Sequence, residues 1–200
     1  MPEPHAGTLR ERQRARVRED IQRAGLALIA ERGYDSVSTE EIAAAAGVSM
    51  STYFRYVPTK EGLLLDTVRN GGAAIVRALR AQPDHVPAAA ALTAAIGERM
   101  SAFDDVDVEH WRTAVLSAPH LLERVSLIGA ADRAALVDLV ADRLGVSSRD
   151  SVRPGLMVEV FLAAGAFAFH RWLTAPPGRV ALSALVSRCL DLVPAIDDER

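Results

Sequence analysis

Residues 38–60, with the sequence STEEIAAAAGVSMSTYFRYVPTK, contain the starts of two helices separated by a single glycine. Ser38 and Glu41 have the spacing of a capping box, in which a hydroxyl and a carboxylate bind amide groups that the first helical turn leaves unpaired. Gly47 follows where that helix would end in the left-handed conformation, and a second helix is predicted from Met50 to Tyr56. The spacing predicts a helix-turn-helix, whose second helix enters the major groove of DNA.

The sequence around this motif resembles the DNA-binding signature of the TetR/AcrR family of bacterial regulators. From Thr39 to Leu63 the chain follows the pattern Thr-Glu-Glu-Ile-Ala-x-x-Ala-Gly-Val-Ser-x-x-Thr-x-Phe-x-Tyr-x-Pro-x-Lys-Glu-x-Leu. Val57 departs from the family, which more often has Phe there, but it is still an apolar residue. The resemblance implies an all-α, TetR-like fold of about nine helices, with a three-helix N-terminal helix-turn-helix domain and a C-terminal helical domain for ligand binding and dimerisation.

The side chains of the motif allow predictions of DNA contacts, in which phosphate contacts position the domain and base contacts specify the sequence. The resemblance implies backbone contacts from Thr39, Tyr56 and Lys60, and Lys60 also lies beside the amino end of the next helix, which suits a phosphate. The predicted DNA-contacting residues of the second helix and its cap are Ser49, Met50, Ser51, Thr52, Tyr53 and Arg55. The residues predicted to pack the two helices together are Ile42, Ala46, Val48, Phe54 and Val57.

A local basic segment precedes the motif. The formal net charge of -3 does not by itself indicate a nucleic-acid-binding protein, but a small basic region on an acidic body is sufficient. Between Arg10 and Arg18 five arginines stand against one glutamate, which gives 5 - 1 = +4. Arg14, Arg16 and Arg18 are predicted to follow the phosphate backbone or to enter the minor groove. The alternative is that this segment is only the solvated start of a helix.

The composition suits a small helical protein of the cytoplasm. Apolar residues make up 50% of the chain and aromatic residues 5%, and the dominance of alanine and leucine favours helices over strands. A single cysteine excludes an internal disulfide, and the N-terminus lacks the apolar run of a signal peptide. The five histidines include no close ligand pair, and no phosphate-binding loop is present, so we expect neither a metal nor a cofactor.

The resemblance implies a DNA-binding domain over residues 10–60 and a ligand-binding and dimerisation domain over residues 61–200. Beside the two helices of the motif, the predicted helices cover residues 10–33, 60–81, 88–103, 109–117, 121–144, 155–172 and 182–193.

Residues 156–169 are apolar or glycine at every position except Glu159. A helix that is apolar all round must be covered all round, and this one is shorter than the ~20 residues of a membrane span. With the last helix it is predicted to form half of a subunit interface, and the resemblance implies a four-helix bundle across a two-fold axis. The predicted dimer contacts are Phe161, Gly165, Phe169, Leu182, Leu185, Val186 and Cys189.

An apolar ligand site is predicted from the aliphatic and aromatic residues of the body. Its predicted residues are Met100, Phe103, Trp111, Val115 and Phe161. The body also resembles actinobacterial regulators of the mycofactocin-cluster type, which implies acyl-CoA ligands. Arg112, His120 and Arg124 are placed to meet an anionic end of such a ligand.

The sequence thus predicts a cytoplasmic homodimeric transcription regulator that binds a palindromic operator in double-stranded DNA, without membrane association. A small apolar effector would release it, and the resemblance implies repression as the usual mode. One alternative is an architectural helix-turn-helix protein that never meets a ligand. The other is an all-α enzyme, which would need an acid, base and nucleophile constellation that the sequence does not offer.

Overall fold

The computed structural model describes residues 9–104, 108–122, 128–176 and 180–193, and their regular structure is helical, which confirms the predicted all-α class. The helices are α1 (Leu9–Arg32), a 3₁₀ turn (Tyr34–Ser36), α2 (Thr39–Ala45), α3 (Met50–Tyr56), α4 (Lys60–Arg69), α5 (Gly71–Ala81), α6 (Ala88–Asp104), α7 (Val108–Leu116), α8 (Pro119–Leu122), α9 (Ala130–Leu144), α10 (Arg153–Thr174) and α11 (Leu182–Asp191). They form two compact units: unit 1 comprises residues 1–67 and 109–124, and unit 2 comprises residues 68–108 and 125–200.

Two of the predicted helices are interrupted. The helix predicted over 60–81 ends at Arg69 and restarts at Gly71, because Asn70 is followed by two glycines and all three residues have low helix propensity. The prediction of a single helix over 121–144 is also wrong. Helix α8 ends at Leu122, and α9 begins after Gly129, which has an extended conformation. Residues 123–127 lie outside the described part of the chain. These two breaks account for the difference from the nine predicted helices.

Unit 1 is built on close packing of α1 against α2 and α4. Ile21 and Ile29 of α1 and Ile42 of α2 are fully buried. Gly25 permits the close approach, because a Cβ atom at that position would lie 2.8 Å from Leu63 Cδ1 and 3.2 Å from Ile42 Cγ2. A side chain at Gly25 would therefore push these helices apart.

Helices α7 and α8 belong to unit 1, whereas the sequence assigned them to a domain over residues 61–200. The Trp111 indole Nε1 donates a hydrogen bond of 2.9 Å to the Leu64 carbonyl oxygen of α4. The Tyr34 backbone N–H donates to Ser117 Oγ at 3.0 Å. The compact unit that carries the helix-turn-helix is thus larger than the predicted domain over residues 10–60.

Unit 2 contains α5, α6, α9, α10 and α11 around one apolar core, to which Leu79, Leu92, Leu136 and Val186 contribute fully buried side chains. Arg143 of α9 closes the carboxyl end of α5. Its guanidinium donates to the carbonyl oxygens of Leu79, Gln82, Pro83 and Val86 at 3.1, 2.7, 2.9 and 3.3 Å. One side chain thus satisfies carbonyl groups that the end of a helix leaves unpaired.

Among the described helices, α10 is long and apolar enough to cross a membrane by length and composition alone, and 44% of its most apolar window is buried inside the protein. Such a helix is equally typical of a soluble core. In unit 2, α10 packs against α6, α9 and α11.

Candidate nucleic-acid interface and effector cavity

The capping box predicted at the start of α2 is present. The Glu41 backbone N–H donates to Ser38 Oγ at 3.2 Å, and the Ser38 backbone N–H donates to Glu41 Oε2 at 2.8 Å. Arg32 forms an ion pair with the same carboxylate at 2.7 Å. The Ser38 backbone hydrogen bond, followed by that of Arg32, lowers the pKa of Glu41 to about 2. The first helix of the motif is therefore held by an ionised carboxylate.

The turn and the start of α3 also follow the sequence prediction. Gly47 has φ +67°, in the left-handed region that glycine adopts without a steric penalty. Ser49 caps α3, since its Oγ accepts a hydrogen bond of 3.3 Å from the Thr52 backbone N–H. The same oxygen lies 3.0 Å from Ser51 Oγ and 3.0 Å from Thr52 Oγ1. Ser49 is thus placed to orient the first turn of α3.

Helix α3 has one exposed face, formed by Ser51, Phe54 and Arg55. Met50, Thr52 and Tyr56 are half-buried at its flanks, and Thr39 is half-buried at the start of α2. The exposed face therefore combines a hydroxyl, an aromatic ring and a guanidinium, all groups that contact base edges in a major groove.

The burial expected for Tyr53 and Phe54 is wrong for both residues. Tyr53, predicted to contact bases, is 0% exposed, whereas Phe54, predicted to pack the helices, is 48% exposed. Burial raises the pKa of the Tyr53 hydroxyl to about 12, with smaller contributions from Tyr34 and Glu40. The sequence contained the signal, because Tyr53 and the buried Val57 are four residues apart and so share one face of α3.

Lys60, predicted to bind a phosphate, has an internal role in the structure. Its ammonium donates hydrogen bonds to the carbonyl oxygens of Tyr34 at 2.7 Å and Val37 at 2.9 Å, and it lies 4.0 Å from the centre of the Tyr34 ring. These contacts fasten the 3₁₀ turn to the start of α4. The side chain is half-buried, so its charge is directed into unit 1.

The arginine segment is the first part of α1 rather than an extended arm. Because successive residues of an α-helix are rotated by about 100°, Arg14 and Arg18 lie on one side of α1 and Arg16 on the opposite side. All three side chains are exposed, but Arg18 forms an ion pair with Asp66 at 3.0 Å. A single DNA strand can therefore meet only part of the predicted set.

Unit 2 contains a cavity of about 320 Å³ between α4, α5, α6, α9 and α10. Its main apolar side chains are Val68, Ile75, Ile96, Met100, Leu162 and Phe169, and its polar ones are Arg99, Arg133, Glu159 and His170. Of the predicted ligand contacts, Met100 lines this cavity. Trp111 and Val115 are buried in unit 1, Phe161 is buried but does not line the cavity, and the Phe103 side chain lies outside the described part.

The residues predicted to meet an anionic end are also misplaced. Arg112 is buried in unit 1, with its Nη1 3.8 Å from the Glu109 carboxylate, and the His120 ring lies edge-on to Tyr34 at 5.9 Å. Arg124 falls outside the described residues. Arg99 was missed, although Ile96, Arg99 and Met100 have the i, i+3, i+4 spacing that places them on one face of α6.

The predicted dimer contacts lie mostly inside the protomer. Phe161, Phe169, Leu182 and Val186 are buried, and Leu185 and Cys189 are half-buried. Gly165 lines the cavity, where a Cβ atom would lie 3.6 Å from Ile96 Cγ2, so it faces α6.

The exposed apolar side of α10 is a different stripe. Leu156 is 54% exposed and Phe167 is 62% exposed. Val160 and Ala163 lie between them at helical spacing, half-buried and exposed respectively. This α10 stripe (Leu156, Val160, Ala163 and Phe167) is the apolar surface that α10 leaves uncovered.

A capped helix-turn-helix with an exposed polar and aromatic face, on a chain whose other unit encloses a cavity, defines a DNA-binding transcription regulator. Residues 21–67 match the family of bacterial regulatory proteins described as the tetR family, and residues 86–196 match the family described as the MftR C-terminal domain. The chain belongs to the TetR family.

Individual relatives agree with this assignment. The HTH-type transcriptional regulator TcmR of Streptomyces glaucescens is 28% identical over 197 residues, which cover 94% of this chain and 87% of that protein. FadR of Thermus thermophilus, a TetR-family transcriptional repressor solved in complex with lauroyl-CoA, is 28% identical with a TM-score of 0.50, over 92% of this chain and 96% of that chain. A TetR-family regulator of Mesorhizobium loti shows the same fold at 19% identity, with a TM-score of 0.56 over 89% of this chain and 95% of that chain.

TetR-family regulators are soluble proteins that bind DNA, form dimers and are in general not enzymes. The function of this chain as a regulator of transcription follows from its membership.

Proposed function

We propose that this protein is a cytoplasmic homodimeric repressor that binds a palindromic operator and leaves it when a small apolar effector fills the cavity of unit 2. The observation that carries the DNA-binding part is the exposed face of α3, on which Ser51, Phe54 and Arg55 lie together. Side-chain caps at the starts of α2 and α3 fix both helices of the motif.

The proposed base contacts follow from the chemistry of these three side chains. Arginine pairs with the acceptors of guanine, serine bonds to several bases, and an aromatic ring packs on the thymine methyl group. Met50, Thr52, Tyr56 and Thr39 flank this face and are assigned to the sugar-phosphate backbone. Arg14, which is exposed on α1, is assigned to a phosphate.

In the proposed dimer, the α10 stripe packs against the same stripe of a second copy of the chain. A contiguous exposed apolar patch of this kind marks a protein interface. Two copies related by a two-fold axis would bury the stripe of one copy against the stripe of the other. The same axis would relate their two helix-turn-helix motifs, which therefore require an inverted repeat in DNA. This assembly is supported by the dimers that TetR-family regulators form.

The proposed effector response uses the cavity. A cavity of about 320 Å³ with an apolar lining favours a ligand-responsive regulator over an architectural protein. A ligand that binds better to a conformation unsuited to the operator would shift the population away from DNA. The lauroyl-CoA complex of the Thermus thermophilus FadR supports acyl-CoA as the first effector class to test.

Base-contact variants test the assignment of α3. Arg55→Ala should lose preference at one base position, by about 1–3 kcal/mol for a specific arginine contact, and Ser51→Ala should alter preference at a neighbouring position. Arg80→Ala, which removes an exposed arginine from α5 in unit 2, is the matched control and should leave the preferred sequence unchanged. Unaltered preference in both α3 variants would refute the proposed interface.

A further inference from the structure

Gly165 occupies a position of α10 at which the backbone does not require glycine. It lies in the interior of a helix of 22 residues. Among the glycines that the structure describes, positive φ angles occur at Gly33, Gly47 and Gly145, and not at Gly165. Glycine in the interior of a helix is less favourable than alanine, by a factor of about two to five in the folding equilibrium constant. Glycine at this position therefore lowers the stability of α10.

Close packing of helices does not explain this glycine either. A Cβ atom at Gly72 of α5 would clash with the Asp132 carboxylate, so that glycine has a packing reason. A Cβ atom at Gly165 would lie 3.6 Å from Ile96 Cγ2, which is an ordinary van der Waals distance. Alanine therefore fits at position 165 beside the neighbours that the structure describes, and the lack of a side chain there has another cause.

The cause that the structure offers is the cavity of unit 2. Gly165 lines this cavity, and so does Ile96, towards which a side chain at position 165 would point. The volume of about 320 Å³ is at the lower end of the roughly 300–1,000 Å³ of ligand pockets. Each carbon atom added at position 165 would therefore remove space that a ligand of limited size needs.

The wall around Gly165 is made of hydrocarbon groups. Leu162 and Phe169 line the cavity three residues before and four residues after Gly165, a spacing that places all three on one face of α10. Ile96 lies opposite. A polar group of a ligand would lose its hydrogen bonds to water against such a wall, whereas a hydrocarbon group would gain from leaving water.

We propose that Gly165 determines the size of the ligand group that enters the cavity, and that this group is an aliphatic chain in contact with Ile96, Leu162 and Phe169. The inference rests on the proposed function for its biological meaning, because it specifies the part of the effector that reaches this wall. It applies to any effector with such a chain, whatever polar group the molecule carries elsewhere.

Calorimetric titration of the full-length protein without DNA tests this inference. The probes are straight-chain alcohols from hexanol to dodecanol, which share one uncharged polar group and differ in chain length. Affinity should rise about fourfold for each added methylene group until the chain fills the cavity, and should then stop rising. In Gly165→Ala it should stop rising about one carbon earlier, because the new methyl group occupies that space.

The matched control is Gly97→Ala in α6. Gly97 is also helical and half-buried, a Cβ atom there would meet nothing within 4 Å, and Gly97 is not part of the cavity lining. Both alanine variants should raise the midpoint of thermal unfolding by about 1–4 °C, since alanine is the better helix former. The limit on chain length should change in Gly165→Ala and stay as in the wild type in Gly97→Ala.

A larger side chain extends the test. Gly165→Leu should shorten the longest accepted chain by several carbons or abolish alcohol binding, and its thermal midpoint shows whether it has folded. The wild-type limit in Gly165→Ala, or no binding of any alcohol to the wild type, would overturn the inference. A lowered midpoint in Gly165→Ala would also overturn it, because packing would then require the glycine.

Failure of this inference can be distinguished from failure of the proposed function. Operator binding without ligand tests the repressor assignment, and release of bound operator by the alcohol with the highest affinity tests the effector response. Protein whose limit on chain length changes with residue 165, but which does not bind DNA, would refute the proposed function and leave the role of Gly165 intact.

Discussion

The buried Tyr53 hydroxyl group has no hydrogen-bond partner among the residues that the structure describes. A buried polar group of this kind costs stability, so Tyr53→Phe should raise the free energy of unfolding by up to about 1 kcal/mol. Because Tyr53 does not reach the DNA face, the variant should select the same sequence as the wild type. Tyr56→Phe, at the flank of that face, is the matched control and should lower DNA affinity without changing stability. Altered base preference in Tyr53→Phe would restore its predicted role in contacting bases.

Lys60 provides a second prediction for a single residue. Lys60→Met removes two hydrogen bonds and the cation beside the Tyr34 ring, and should lower the free energy of unfolding by about 2 kcal/mol. The dependence of DNA affinity on salt should stay as in the wild type, because no phosphate contact is lost. Chemical denaturation and titrations at several salt concentrations measure the two effects. A fully stable variant with a reduced salt dependence would mean that Lys60 does bind a phosphate.

Both corrections have a common physical cause. The sequence pattern identified Tyr53, Phe54 and Lys60 as residues of the motif, and this was right. Their directions depend on which side of α3 faces α1 and α2 and on where the 3₁₀ turn lies, and both are tertiary features. Helical spacing relative to Val57 predicts the burial of Tyr53, but no local pattern predicts that Lys60 points at the carbonyl groups of Tyr34 and Val37.

The capping box of α2 makes a prediction about pH at the scale of an element. The pKa of Glu41 is lowered from 4.5 to about 2 in the folded protein. The stabilisation from this carboxylate is therefore fully present above about pH 4.5 and is lost as the pH falls towards 2. The difference in unfolding midpoint between the wild type and Glu41→Gln should therefore shrink as the pH falls through that interval. Glu40→Gln, beside the capping box, is the control; a constant difference in Glu41→Gln would contradict the account.

Helix boundaries were predictable where a local signal specifies them. The caps at Ser38 and Ser49 and the left-handed Gly47 fall where the sequence placed them, and the helices predicted to end at residues 33 and 144 end at Arg32 and Leu144. The break at Asn70 was missed because apolar residues continue at helical spacing on both sides of it, so the periodicity suggests one helix. Low propensity over three successive residues outweighs this pattern.

The proposed dimer depends on the α10 stripe. Phe167→Glu should place a charge beside its symmetry mate and raise the dimer dissociation constant at least about tenfold, so that sedimentation velocity detects monomer at micromolar concentration. Val146→Glu changes an exposed apolar residue after α9 and should leave the dimer intact. Wild-type protein that is monomeric, or a Phe167→Glu variant that stays fully dimeric, would remove the α10 stripe from the interface.

The sequence predicted an interface on α10 and α11, whereas the proposed interface uses another side of α10, the α10 stripe. A helix that is apolar all round gives no periodicity from which to choose between the core and a partner. Phe161 and Phe169 are taken up by the core of unit 2, Gly165 lines the cavity, and Phe167 remains exposed. Apart from Met100, the cavity residues were not predicted as ligand contacts, for the related reason that α6, α9 and α10 meet only in the folded chain.

The central claim is that the protein is a symmetric dimer and that its α3 helices determine which DNA sequence it binds. Selection of bound duplexes from a random pool by the purified protein tests it most directly, because both the reading face and the assembly affect the outcome. We predict enrichment of one inverted repeat whose half-sites are separated by about one helical turn of DNA. Enrichment of no sequence, or of a single half-site without a repeat, would contradict the claim.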